Sequence, residues 1–499
     1  MLRHFILLFT ALIGLTASQM ALQDSRLASL PSFSAEQVYA AQALPGGVSL
    51  ILQGESLPYD HEANVYYLPV SKETALADRR LATKDEPGVS YGLLDPGDGT
   101  LILCARTDSG IRTSTLVFTS LPVIALDSDG DALPGDEAEH GVLTYLSGED
   151  GRLTLRRSEM EINLRGNTSR RLPKKSYRVK IIDESGEKSN LSLAGLRSDD
   201  DWILNPMYSD TSKVREPLAY WLWEQINSSS SAAASSRAAY AEVILNGAYW
   251  GLYAIQERID RKQVGGDKQA DILYKVIAND RPTTQELTEC TDSLLCHGFE
   301  ISHAGTGVGE QRWLPAASYM AALNGEENPY GASLSLENTV DYGLFAMLTQ
   351  AYDCHFKNQF LNCVYNGSGY TLYKIPWDLN HTFGDAWNGD STQTNYLDYV
   401  IGDELVLDSA FQALLTGIDD AAAQLIRSRW EALRRETITE ENITQKAYSL
   451  YLPLQSALER DTARWSQSGM GDGNAQHIRD IEVFIRNILP RIDEFVRSL

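Results

Sequence analysis

The chain is poor in cysteine and short of basic residues. Five cysteines in 499 residues are too few for a fold held mainly by disulfides. Lysine and arginine number 43 against 67 acidic residues, which gives a formal net charge of −24. Apart from a locally basic stretch at 165–180, no block of Lys or Arg offers the surface that nucleic acids require. We therefore expect no nucleic-acid partner, and the acidic field favours a basic one.

Long apolar runs are also scarce. A short basic start is followed by an apolar run over residues 5–17. A membrane-spanning helix needs about 20 apolar residues, so this run favours a secretory signal peptide over 1–20, cut near Ser18 or Ala21. An uncleaved anchor is the alternative. We expect a secreted or cell-surface protein without stable membrane insertion once the signal is removed.

Short alternating apolar runs broken by turns fill the first part of the chain. They predict a small all-β, sandwich-like domain over 40–120, followed by an acidic linker near Asp127. The linker begins with three alternating aspartates, as a calcium loop does. Ala132 and Ala138 stand where such a loop needs Gly and Glu, so a solvated linker is favoured.

Beyond residue 121 the patterns mix strands and helices. Apolar residues at helical spacing predict helices over 210–227 and 338–352, and Asn246-Gly247 predicts the turn of a β-hairpin. The segment 281–330 is irregular and looks inserted. Two short strands follow it, and the last hundred residues are mostly helical. The predicted fold class is therefore α+β, with the all-β domain first and a helical C-terminal part.

One pair of cysteines is close in sequence. Cys290 and Cys296 could close a small disulfide loop, or hold zinc together with His297 and His303. The spacing fits no standard zinc pattern, and export favours a disulfide. The odd number of cysteines leaves at least one thiol outside any such pair.

The chemistry-bearing residues follow the second predicted helix. Asp353 and Asn358 are separated by four residues, and Asp378 comes just after the next predicted hairpin. A phosphoryl-transfer site needs a carboxylate to orient the acceptor hydroxyl, and a second carboxylate with an amide oxygen to hold Mg²⁺. Protein kinases place these groups in this order and spacing. The chain has no His-Arg-Asp, no Asp-Phe-Gly and no Gly-rich loop, which leaves an atypical kinase.

Four segments carry a family resemblance: INLRGNTS, DWILNPMYSDTSKVREPLA, VILNGAYWGLYAIQERID and KIPWDLNHTFG. With them the chain resembles the CotH kinase family of spore-coat H-like proteins, over about 121–384. The resemblance implies an atypical two-lobed protein-kinase fold over 121–499, with lobes at about 140–260 and 261–499. It implies ATP with Mg²⁺, or else Mn²⁺ or Ca²⁺, and a protein substrate with a Ser or Thr acceptor.

The resemblance also assigns roles to single residues. Asp353 matches the catalytic aspartate and Asp378 the metal-binding one, with Asn358 as a second metal ligand. Lys175 is the best match for the phosphate contact, and the alternatives are the nearby lysines Lys174 and Lys180.

Three further residues are candidates for binding the nucleotide. Glu257 ends the predicted hairpin where a hinge would lie, Arg215 opens a helix near the same cleft, and Trp377 precedes the metal-binding aspartate. Each also has a structural interpretation: an ion pair for Glu257, an ion pair with Asp210 for Arg215, and a core position for Trp377.

Two functions of another class compete with the kinase. One is a noncatalytic surface or coat assembly module that keeps the fold. The other is a protein that attaches to cell-surface carbohydrate through its N-terminal domain. The intact set of Asp353, Asn358 and Asp378 favours the enzyme.

Overall fold

The structure is a computed structural model. It describes residues 24–130, 132–228, 231–291, 293–328, 331–385, 405 and 407–499. The predicted signal peptide lies outside these residues. Among the described residues, no helix is both long and apolar enough to cross a membrane. The chain is α+β, β-rich near its N-terminus and helical towards its C-terminus, as predicted.

The chain forms two compact units, each built from separate stretches of sequence. Unit 1 consists of Met1–Leu164, Lys180–Ala194 and Tyr240–Tyr253. Unit 2 consists of Arg165–Val179, Gly195–Ala239 and Ala254–Leu499. The domain and lobe boundaries drawn from the sequence, and a two-lobed kinase arrangement, stay predictions.

The N-terminal part of unit 1 contains two four-stranded sheets around one core. Leu50 and Leu81 reach this core from the first sheet, and Leu103 and Leu116 reach it from the second. Two short helices, Ala35–Tyr39 and Lys72–Ala77, each begin after a serine whose side chain accepts a backbone N–H bond. In spatial order the strands are Ser25–Arg26, Leu81–Thr83, Leu50–Leu52 and Glu55–Ser56, then Val65–Leu68, Gly110–Phe118, Leu101–Thr107 and Ser90–Leu94.

The same core continues past residue 121. Val123, Ala125 and Ile244 belong to it. They lie on the neighbouring strands Val123–Ser128 and Ala238–Leu245, which run parallel to each other. Strands Glu139–Ser147 and Thr154–Leu164 extend this sheet with antiparallel pairing. Asp127, predicted to lie in a linker, is therefore the penultimate residue of a strand.

The predicted hairpin turn at Asn246-Gly247 is confirmed. The two residues have φ values of 49° and 73°, the left-handed conformation that a two-residue hairpin turn requires. They connect Ala238–Leu245 to Ala248–Glu257. The remaining short strands of this region are Tyr177–Ile182, Leu191–Ser192, Ser198–Asp199 and Asp201–Asn205.

Unit 2 contains a six-stranded sheet, and the segment 281–330 is part of it. The prediction that this segment is irregular was wrong. It contributes two strands, a short helix at Thr284–Thr288 and the helix Leu314–Asn324, and its Trp313 and Tyr319 are buried in the core. The sheet order is Leu295–Cys296, Phe299–Ala304, Ile272–Val276, Gln359–Tyr365, Tyr370–Pro376 and Ala332–Leu334.

The predicted helices are present with shifted ends. The first spans Arg215–Ile226, because the Asp210 carboxylate accepts hydrogen bonds from the backbone of Ser212 and Arg215 and holds the preceding residues in a turn. The second spans Leu336–Thr349 and ends because Gln350 takes a left-handed conformation. The C-terminal helices are Ser409–Thr416, Asp420–Glu436, Glu440–Tyr451, Gln455–Trp465 and Ala475–Ser498.

The predicted disulfide between Cys290 and Cys296 is confirmed. Its sulfurs lie near His297, but a disulfide offers no thiolate, so the zinc alternative has lost its strongest ligands. The cysteines at 104, 354 and 363 are buried thiols.

Candidate active site

Asp353 and Asn358 meet in the turn that follows the helix Leu336–Thr349. The Asn358 Nδ2 donates a hydrogen bond of 2.8 Å to Asp353 Oδ2. Lys357 Nζ lies 2.9 Å from the other carboxylate oxygen, Oδ1. The Asp353 side chain is 32% exposed, so its carboxylate is oriented by two donors and still accessible to a partner.

The β-hairpin predicted between Asn358 and Asp378 is present, and it brings Asp378 back to this turn. Its strands are Gln359–Tyr365 and Tyr370–Pro376, paired antiparallel. At its open end the Trp377 N–H donates to the Asn358 carbonyl over 3.0 Å. Cys354 Sγ lies 3.4 Å from the Trp377 carbonyl oxygen and 3.9 Å from that of Asp378. Asp353, Asn358 and Asp378 therefore belong to one site.

Two of the three site residues have a left-handed backbone conformation. Asn358 and Asp378 have φ values of 53° and 59°, in the left-handed region that only Asn, Asp and Gly enter readily. This conformation breaks the regular strand geometry at both residues and so changes the direction of their side chains.

Glu216 is a member of the site that was not predicted. Its Oε1 accepts from the Leu379 N–H over 3.4 Å and from the Tyr220 hydroxyl over 2.8 Å, and its Oε2 accepts from Asn205 Nδ2 over 2.6 Å. Burial raises the pKa of Glu216 to about 7, and the charge of Asp378 adds to the shift. Its place beside the predicted Arg215, at the start of a helix, was the available signal.

Two cations that were not predicted also lie near Asp378. The Arg165 guanidinium and the Lys275 Nζ are each 5.9 Å from the centre of the Trp377 ring. Burial lowers the pKa of Arg165, and the charge of Asp378 opposes that shift. Burial likewise lowers the pKa of Lys275, and its neighbour Arg165 contributes. Both cations are therefore partly desolvated, which strengthens their attraction for an anion.

The predicted lysines have other partners. Lys175 Nζ donates to the Arg170 carbonyl over 2.6 Å. Lys174 is fully buried against Asp461, and Lys180 pairs with Glu161 at 3.0 Å. None of these contacts includes Asp353 or Asp378, so the phosphate role of Lys175 stays a prediction.

Glu257 and Arg215 are both buried, and each has structural partners. Glu257 accepts from the Arg197 backbone N–H over 2.9 Å and from Gln263 Nε2 over 3.4 Å. Arg215 pairs with Asp210 at 2.9 Å, and its Nε donates to the Thr382 carbonyl over 3.1 Å. Arg215 therefore fixes the chain just after Asp378, while the nucleotide roles of both residues stay predictions.

Trp377 is 5% exposed and packs edge to face on Phe360, with ring centres 5.5 Å apart. A core position is the interpretation that these contacts favour. Its cofactor-binding role stays a prediction.

The donor atoms suit a divalent cation that prefers oxygen. Because Asn358 turns its amide nitrogen to Asp353, its Oδ1 is the atom left for a metal. A carboxylate follows at Asp378, and Mg²⁺ is usually bound in proteins by one or two carboxylates and by substrate phosphates. The residues present therefore fit a magnesium–nucleotide complex, with Arg165 and Lys275 as cations for the phosphates.

Comparison with known families gives one clear result. The sequence model described as CotH kinase protein matches residues 162–489, most of the chain. The matched range contains every residue of the site described above. A comparison with curated proteins finds no match.

Proposed function

Because the chain belongs to the CotH kinase family, we propose that it is an atypical protein kinase. The proposed reaction transfers the γ-phosphoryl group of ATP to a Ser or Thr hydroxyl of a protein. The observation that supports this most directly is the hydrogen bond between Asp353 and Asn358 beside the turn that carries Asp378. Together these residues offer the carboxylate and amide oxygens that phosphoryl transfer needs for the acceptor hydroxyl and for the metal.

Asp353 would bind the acceptor. Its exposed carboxylate orients the incoming hydroxyl and takes its proton as the oxygen bonds to the γ-phosphorus and ADP leaves. Asn358 and Lys357 hold the two carboxylate oxygens in place, so the side chain loses little freedom when a substrate arrives.

Asp378 and Asn358 would hold the divalent cation. When bound, Mg²⁺ supplies positive charge that offsets the charge of the phosphates. Glu216 accepts a hydrogen bond from the Leu379 N–H, which helps to keep the turn at Asp378 in position. Arg165 and Lys275 would contact the phosphates, in place of or together with Lys175.

Export and a basic protein substrate are also part of the proposal. They rest on the apolar run at 5–17 and on the net charge of −24. A surface location would suit a coat-type protein.

Incubation of the full chain with γ-labelled ATP, Mg²⁺ or Mn²⁺, and a panel of basic and acidic acceptor proteins tests the activity. Wild type should label a Ser or Thr residue, in itself or in an acceptor, and Asp353→Asn should not. Asp480→Asn, on the exposed face of the last helix, is the matched control and should label normally. If wild type labels nothing with either metal, the noncatalytic assembly module replaces the kinase.

A further inference from the structure

Unit 1 contains a cavity of about 340 Å³. Small-molecule sites have volumes of about 300–1,000 Å³, so this cavity is large enough for a ligand of one or two rings. Nearly all of its lining precedes residue 162, where the family match begins. The cavity is therefore separate from the candidate active site, which lies wholly in unit 2.

One face of a β-sheet forms the floor of the cavity. Ala125 pairs with Ile244 on one side and with Thr144 on the other, and Thr144 pairs with Arg157. These four residues make a row across four strands. Asp127 lies two residues after Ala125 and therefore on the same face. The row is apolar at Ile244 and Ala125 and carries a hydroxyl and a cation at its other end. Asp127 adds a carboxylate further along the strand of Ala125.

Aromatic side chains line the opposite wall. The rings of Tyr59 and His61 meet edge to face with centres 4.8 Å apart. The backbone N–H of His61 donates a hydrogen bond to the Gly247 carbonyl over 2.8 Å. A Cβ on Gly247 would lie 2.6 Å from the His61 ring. The glycine at this turn therefore allows the His61 ring to pack directly against the hairpin. The Tyr59 hydroxyl donates a hydrogen bond to the Asn64 side-chain oxygen over 2.7 Å, and this bond holds the Tyr59 ring in place.

The cavity is lined by one carboxylate and one guanidinium, whose charges offset each other. Desolvation raises the pKa of Asp127, whereas the positive charges of Arg157 and His61 oppose that rise, so the three groups act on one another. The Asp127 carboxylate accepts no hydrogen bond from the residues that the structure describes. Asp127, Arg157 and His61 are all exposed, so they lie where a ligand could reach them from solvent. Arg157 Nη1 also lies 3.5 Å from Glu55 Oε2, and its Nη2 lies 3.5 Å from the Ser56 carbonyl oxygen. A partner with many hydroxyl groups would satisfy both the carboxylate and the guanidinium without adding net charge.

We propose that this cavity binds a neutral saccharide. Asp127 accepts hydrogen bonds from sugar hydroxyls, and Arg157 donates to hydroxyl and ring oxygens. Thr144 offers a further hydroxyl, and the rings of Tyr59 and His61 present apolar surface to the C–H face of the sugar. A simple anion would meet the Asp127 carboxylate, and a simple cation would meet Arg157, so neither suits the site as a whole.

Calorimetric titration of the full chain with glucose, galactose, mannose, N-acetylglucosamine and cellobiose tests the proposal. At least one sugar should bind, and Asp127→Asn and Arg157→Gln should each weaken that binding about tenfold or more, as loss of a charge-assisted hydrogen bond does. Arg112→Gln and Asp95→Asn are matched controls. They remove surface ion pairs of the same unit, with Glu86 and Lys72, and should leave binding unchanged.

The same titration with inorganic phosphate and with L-glutamate separates the alternatives. Binding of either anion in preference to every sugar, with loss in Arg157→Gln only, would overturn the neutral saccharide. So would the absence of sugar binding by wild type at millimolar concentrations, or sugar binding that Asp127→Asn and Arg157→Gln leave intact. Melting curves of each variant show whether unit 1 is folded. Thr144→Val, which keeps the shape of the floor, repeats the test if either charge variant unfolds.

Discussion

Lys174 Nζ lies 2.7 Å from Asp461 Oδ1, and the two side chains are 0% and 1% exposed. This ion pair joins the loop before a β-strand to the helix Gln455–Trp465, almost three hundred residues later. Lys213 is buried close by, and burial lowers its pKa to about 8, with Asp461 opposing the shift. Lys174 is therefore a structural lysine, although in sequence it is as good a phosphate ligand as its neighbour Lys175.

We expect Lys174→Met to lower the free energy of unfolding by about 3–5 kcal/mol, because it leaves a buried carboxylate without its main partner. Lys174→Met combined with Asp461→Leu should recover most of this loss. Lys175→Met is the matched control and should change stability by less than about 0.5 kcal/mol. Guanidinium denaturation measures all three. Unchanged stability in Lys174→Met together with lost ATP binding would instead favour the phosphate role.

Asp353→Asn and Asp378→Ala should fail in different ways. Loss of Asp353 should remove phosphoryl transfer but leave ATP binding, whereas loss of Asp378 should remove both, because it holds the cation that the phosphates need. A ligand at about 100 times its Kd stabilises the fold by roughly 2.7 kcal/mol. With Mg²⁺–ATP, the melting temperature should therefore rise in wild type and Asp353→Asn only. Equal shifts in both variants would contradict the metal role of Asp378.

Arg165→Ala and Lys275→Ala should each weaken Mg²⁺–ATP binding about tenfold or more, because both remove a partly desolvated cation beside Asp378. The affinity for AMP, which lacks the β- and γ-phosphates, should fall less in these two variants than the affinity for Mg²⁺–ATP does. The comparison variant is Lys175→Ala. If Lys175→Ala loses affinity and the other two do not, the sequence-based assignment is right and ours is wrong.

Glu216 should make stability depend on pH. The pKa of Glu216 is about 7 in the folded protein, against the ordinary value of 4.5 that it takes in the unfolded chain. Between these two pH values the Glu216 carboxyl is protonated in the folded state and ionised in the unfolded state. Stability should therefore fall as the pH rises through this window, by at most roughly 1.4 kcal/mol per pH unit. Glu216→Gln should lack this slope, while Glu224→Gln on the same helix should keep it. Thermal melts from pH 4.5 to 7.5 compare the three proteins.

Removal of residues 24–119 should destabilise unit 1, because Leu50 and Leu103 share a core with Val123, Ala125 and Ile244. A fragment that begins at Ser120 would expose those side chains on an open sheet face. We expect it to aggregate, or to bind the apolar dye ANS much more strongly than the chain that begins at residue 24. A soluble fragment with unchanged dye binding and a sharp melting transition would show that the boundary near residue 121 is real.

That Asp353, Asn358 and Asp378 lie close together could be predicted, because one local hairpin connects them; their chemical roles stay predictions. Their spacing along the chain is enough to predict that the hairpin returns Asp378 to the turn that holds Asp353 and Asn358. Glu216 reaches the same turn across 163 residues through the Leu379 N–H, and no periodic pattern records such a contact. Arg165 directly follows the strand Thr154–Leu164 and Lys275 lies in Ile272–Val276, so their proximity to the site is equally hidden from a local pattern.

The sequence alone could not show which of the adjacent lysines is buried, and the phosphate role of Lys175 stays a prediction. Lys174 and Lys175 are adjacent, so propensity and charge cannot separate them, and only the packing of a distant helix decides which one is enclosed. The segment 281–330 was missed for another reason. Leu295–Cys296 has only two residues, too few for a strand pattern, and it pairs with Phe299–Ala304. Phe299–Ala304 does alternate buried and exposed residues, but its place in the sheet is set by pairing with the distant strand Ile272–Val276.

The division of the chain into interleaved units has a consequence for its biosynthesis. Strand Val123–Ser128 needs Ala238–Leu245 as its parallel neighbour, with Leu126 opposite Leu245. A ribosome adds about 5 to 20 residues per second, so the first strand waits several seconds for its neighbour to emerge. During that time the chain must keep an apolar sheet edge unpaired. The order of synthesis and the order of assembly therefore differ, and the N-terminal residues complete their fold only after the middle of the protein has been made.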